Sequence, residues 1–93
     1  MALIHLEHPI RSTPEEMLRR FEAEVVLHPS FRAFVDHYEI RGNQVTIQGT
    51  QGISGVVDVS PGLMTVDLTL SGMAAFLKPV VEAKLREALG RLF

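Results

Sequence analysis

The stretch "DHYEIRGNQVTIQGTQGISGVVDVSPGLMTVDLTLS", from Asp36 to Ser71, constrains the fold more than any other part of the chain. It alternates apolar and polar residues in four runs, over about 37–41, 44–49, 53–60 and 63–70. A period of two is the mark of a half-buried strand. The runs are joined by turn residues. Gly42 and Asn43 can supply the positive φ values of a tight hairpin, and Thr50–Gln51–Gly52 and Pro61–Gly62 punctuate the next two joints. An antiparallel meander follows. Val45 and Ile47 share a face, as do Val57 and Val59, and as do Met64, Val66, Leu68 and Leu70. Thr65, Asp67 and Thr69 occupy the opposite side, the polar register of a sheet with one face in water.

The flanks carry the remaining elements. "ALIHLEH" places Leu3, His5 and Glu7 on one face and Ile4, Leu6 and His8 on the other, and Pro9 closes this first strand. In "STPEEMLRRFEAEVVLHPS", Thr13 is a helix cap, Pro14 suits the first helical position, and Glu16 stands where it can reach back to the cap. Leu18, Phe21 and Val25 follow at helical spacing until His28–Pro29 ends the element. One more helical turn begins at Ser30, with Phe31 and Phe34 facing inward. The last segment sets Leu77, Val81, Leu85, Ala88 or Leu89, and Leu92 on one stripe. Pro79 suits a first turn, so the main helix runs from about 79 to 91, and "SGMAAFLK" before it is a turn or a separate helical piece. The expected fold is a single α+β domain over 1–93: strand, helix, four-stranded antiparallel meander, helix, with the C-terminal helix packed across the sheet.

Composition narrows the function. Nine Lys and Arg against eleven Asp and Glu give a net charge of −2, with the basic residues scattered, so a nucleic-acid partner is not expected. Cys is absent, which excludes disulfides and thiolate chemistry. "MALIHLEHPIR" lacks the features of a secretory leader, and no segment is long and apolar enough for a transmembrane span. A cytoplasmic location is expected.

Local motifs argue against catalysis. His5 and His8 point to opposite faces of their strand, and His28 and His37 add no converging set, so no metal site is expected. "GTQGISG" has glycines at 49, 52 and 55, but its flanks are strands, whereas a dinucleotide loop opens a helix. Asp58 and Asp67 lie on neighbouring strands, opposed or diagonal, among Ser and Thr on the solvent side. No nucleophile elbow or Ser, His and acid trio is visible, so neither enzyme nor cofactor is expected. The feature with a physical mechanism is "MAAFL". Exposed beside Lys78, Met73, Phe76 and Leu77 would form an apolar anchor for a lipid, polyester or protein surface; the alternative is that they close the core where the sheet ends.

Three segments, "IHLEHPI", "GNQVTIQGTQGISGVVDVSPGLMTVDLTL" and "FLKPVVEAKLREAL", together resemble the polyhydroxyalkanoic acid system, or granule-region, family of bacterial proteins, encoded beside polyhydroxyalkanoate synthesis genes. The likeness spans nearly the whole chain. It implies a link to storage-polymer granules or their gene neighbourhood and supplies no catalytic residues; joined to the apolar "MAAFL" segment, it leads to the expectation of a non-enzymatic accessory protein acting by apolar contact with the granule surface or a granule protein. A more remote architectural likeness is to the START-type helix-grip domains, which hold an apolar ligand between sheet and C-terminal helix. That likeness implies a carrier of a hydrophobic acid, its space lined by Val45, Ile47, Val57, Val59, Val66 and Leu68. A homo-oligomer, through an edge strand or the apolar helix, is compatible with either.

Overall fold

The computed structural model describes residues 1–50 and 52–92. Gln51, within the expected second turn, and Phe93 lie outside the described residues. Strand β1 (Ala2–Pro9) leads into helix α1 (Pro14–Phe21), a π-helical turn (Glu22–Val26) and a short helix α2 (Pro29–Arg32). Strands β2 (Val35–Arg41), β3 (Gln44–Gly49), β4 (Ile53–Ser60) and β5 (Leu63–Leu70) form the meander. A 3-10 helix (Gly72–Leu77) then passes directly into helix α3 (Lys78–Leu92). The α+β architecture and each expected element are present, with boundaries displaced by one or two residues.

All five strands join one antiparallel sheet in the order β1-β5-β4-β3-β2. The first strand therefore lies beside the last, Ala2 opposite Leu70 and Pro9 opposite Leu63. At the far edge, β2 starts at Val35 rather than 37, and a bulge between Val35 and His37 shifts its register against β3. Gly42 turns the β2–β3 hairpin at φ +58.

The alternating pattern sorts as expected. Val45, Val57, Val59, Met64, Val66 and Leu70 are buried on one face, and Thr46, Asp58 and Asp67 stand exposed on the other. At Gly55 the inner face approaches its neighbour so closely that an added Cβ would lie 2.3 Å from Leu68 Cδ2. That position leaves no room for a side chain on the present packing.

Helix α1 starts as its cap dictates, with the Glu16 N–H donating to Thr13 Oγ1 at 3.2 Å. Met17, Leu18 and Phe21 are buried, and the helix lies over the central strand β4. The π-helical turn closes with Leu27 N–H donating to Glu22 O at 2.9 Å. Its extra residue per turn brings both Val25 and Val26 into the core, where α-helical spacing accounts for Val25 alone. Phe31 packs against the core as half-buried, whereas Phe34 lies outside the core cluster. Helix α3 packs on the sheet over β1 and against the π-helical turn, burying Leu85, Ala88, Leu89 and Leu92. Its last turn is tied to the first helical segment: the Arg20 guanidinium donates to Leu92 O at 2.6 Å and that of Arg91 to Glu24 O at 3.4 Å. Both are basic groups on carbonyls, and Leu92 O lies at the helix end where carbonyls lack partners within the helix.

Candidate functional site

The segment after β5 begins with a clamp. The Ser71 N–H and hydroxyl both donate to Gly52 O, each at 3.0 Å. Gly72 then adopts φ +60, a left-handed conformation that side chains disfavour, and turns the chain out of the sheet. In the 3-10 helix that follows, three residues complete a turn, so Met73 and Phe76 stack on one side and Ala74 and Leu77 on another. Ala74 is 1% exposed and closes the core at this end of the sheet. Met73 and Phe76 are 76% and 81% exposed. The alternative in which these two residues close the core is thus corrected: that place belongs to Ala74, whose methyl group fits the space.

Leu77, at 39%, stands at the border of the patch, and Lys78 beside it is half-buried. Val80, at 52% exposed, continues the apolar row from Phe76 into α3. Sequence spacing had a signal for Val80, since it falls off the Val81–Leu85–Leu92 stripe and so lies on the helix side away from the core. Met1 and Leu3 are also exposed, and the pairing of Ala2 with Leu70 puts them at this same end of the sheet. Four exposed apolar side chains within eight residues form a patch of the kind that marks contact surfaces.

Polar side chains on β1 and β5 are engaged with each other. On the outer face, His5 of β1 is directly opposite Asp67 of β5. Its Nδ1 is hydrogen-bonded to the Asp67 carboxylate and its Nε2 to Glu7 Oε1 at 2.9 Å. Both acceptors favour the imidazolium, so the His5 pKa is raised, first by the Asp67 hydrogen bond and then by that to Glu7. With each ring nitrogen facing a carboxylate, His5 has none left for a metal. Among the described residues no group of three His, Cys, Asp or Glu is arranged for one. Asp58 and Asp67 are diagonal across β4 and β5, since Asp58 faces Thr65 and Asp67 faces Val56. The Tyr38 hydroxyl donates to Glu22 Oε2 at 2.7 Å, and that bond, lost on ionisation, raises the phenol pKa.

Grooves open on the described surface beside β1. One, of about 190 Å³, lies between β1 and α3, with Leu6, Arg86, Leu89 and Gly90 in its wall. Another, of about 450 Å³, lies where β1 meets α1. None of Val45, Ile47, Val57, Val59, Val66 and Leu68 lines either groove. All six are core residues, exposed by 9% or less, packed in one cluster with Met17, Phe21 and Leu85.

No family model, curated protein or solved structure matches the chain. Function is therefore argued from the residues and their geometry, with the exposed row Met73, Phe76, Leu77 and Val80 as the candidate site.

Proposed function

We propose that the protein is a non-enzymatic accessory domain that docks on an apolar surface through Met73, Phe76, Leu77 and Val80. The surface is that of a polyhydroxyalkanoate storage granule, in keeping with the sequence resemblance. The observation that carries this reading is the exposure of Met73 and Phe76 on a segment whose backbone is fixed by the Ser71–Gly52 clamp and whose Ala74 is locked in the core. An apolar pair held outward by a rigid base needs no reorganisation to meet a surface.

Magnitudes set the kind of docking. Full burial of a Phe or Met side chain contributes roughly 1.5–3 kcal/mol. Association costs about 4 kcal/mol or more in lost freedom. The patch then gives reversible adsorption, and the Lys78 ammonium stays at the polar boundary. A polyester surface suits this arrangement because it is apolar yet carries ester oxygens that accept hydrogen bonds.

The carrier reading has no comparable support, because the six residues that would line its space are packed into the core. An environment-sensitive dye on a single cysteine tests the docking reading cleanly, since the chain has no Cys of its own. A dye at Ala75 should shift its emission to the blue when purified polymer granules are added, and one at Arg41, on the far hairpin, should not. Equal response at both positions, or none at either, overturns the reading.

A further inference from the structure

The larger groove, of about 450 Å³, is lined by His8, Pro9, Arg11, Ser12, Met17 and Arg20. It lies at the opposite end of the sheet from the apolar patch: β1 runs from Ala2, opposite Leu70, to Pro9, opposite Leu63. In a chain of net charge −2, the described residues of this wall include two arginines and a histidine and no Asp or Glu. Neither guanidinium is paired with a carboxylate among the described residues. Arg20 is held in place by its hydrogen bond to Leu92 O, so its remaining donors are already oriented. The His8 ring is likewise fixed, its Nδ1 hydrogen-bonded to Pro9 O at 2.8 Å.

A second observation is independent of charge. Ser12 Oγ is the one buried side-chain oxygen or nitrogen without a hydrogen-bond partner among the described residues, and Ser12 belongs to this wall. Buried polar groups are nearly always satisfied, and an orphan calls for a partner from outside the chain. The groove's volume falls in the range of small-molecule sites. Guanidiniums match the oxygens of a phosphate, two arginines line this one groove, and Met17 and Pro9 supply apolar surface in the same wall.

We propose that this groove binds a small phosphate ester, Arg11 and Arg20 taking the phosphate oxygens, Ser12 donating its hydroxyl, and Met17 and Pro9 contacting the organic body. The molecule would then have two working ends, an apolar docking end and an anion-binding end, each independent of the other.

Amide chemical shifts of the full chain, titrated with phenyl phosphate, inorganic phosphate and benzoate, test this. Phenyl phosphate should give saturable shifts at Arg11, Ser12, Met17 and Arg20, with inorganic phosphate and benzoate each bound more weakly. Arg11→Gln should weaken phenyl phosphate by about tenfold or more, the loss of one charge-assisted contact, while Arg19→Gln, which removes the same charge from the same region, should not. Ser12→Ala should weaken binding while leaving the melting temperature equal or higher, because it removes an unsatisfied hydroxyl. Absence of saturable shifts overturns the site. Equal loss in Arg11→Gln and Arg19→Gln overturns it as well, since bulk charge would then explain binding. Benzoate binding as tightly as phenyl phosphate overturns the choice of phosphate, and inorganic phosphate doing so overturns the role of Met17 and Pro9.

Discussion

His5 and Asp67, 62 residues apart in the chain, face each other across β1 and β5 and are joined by a hydrogen bond on the water-facing side of the sheet. The contact links the first strand to the last strand of the meander. It also makes that link dependent on protonation.

The sign of this dependence follows from the raised His5 pKa. The imidazolium is favoured in the folded protein, so its stabilising effect is fully present below the ordinary histidine value of 6.5 and is lost as pH rises through the higher folded value. Thermal melts of wild type and His5→Gln should differ most on the acid side of that value, with wild type the more stable. The two should converge once pH has risen past that value. A difference that grows with pH contradicts the pairing.

Gly55 sits beneath Leu68 with no space for a side chain. Gly55→Ala should lower stability by about 1–3 kcal/mol, because Leu68 must leave its packed position to admit a methyl group. Chemical denaturation measures the cost. A second substitution, Leu68→Ala, should reduce the penalty in a double-mutant cycle, since it removes the atom that the new Cβ would strike.

Gly90 presents the opposite case. It lies within α3 on the wall of the smaller groove, and an added Cβ would meet nothing within 4 Å. Helix propensity then decides, and Gly90→Ala should stabilise the isolated chain by roughly 0.5–1 kcal/mol. Destabilisation on denaturant titration would mean that the groove is occupied or covered in solution.

Much of the fold was legible because its signals are local. The alternation of Val45–Ile47, Val57–Val59 and Met64–Leu70 declares strands, and the Thr13–Pro14–Glu16 start and the Pro79 start declare helices. The partner of β1 was not legible: no local pattern distinguishes β5 from β2 as its neighbour, and the His5–Asp67 contact depends on that choice. The π-helical turn escaped for a similar reason. Val25 alone satisfies an α-helical period, and Val26 enters the core only when one extra residue is wound into the turn. At the candidate site, "MAAFL" stood out by composition, but apolar residues serve a core and a surface equally well. The sorting of Ala74 inward and Met73 and Phe76 outward is set by the turn at Gly72 and by 3-10 rather than α-helical winding. The basic groove was invisible because Arg11 and Arg20 are separated in sequence and come to line one wall only through the way β1 runs into α1.

The central claim is that Met73 and Phe76 are surface anchors, and co-sedimentation with purified polyhydroxyalkanoate granules tests it most directly. Wild type should be recovered with the granules. Met73→Ser combined with Phe76→Ser should remain in the supernatant with an unchanged melting temperature, because neither side chain is part of the core. Equal recovery of the two proteins would contradict the account.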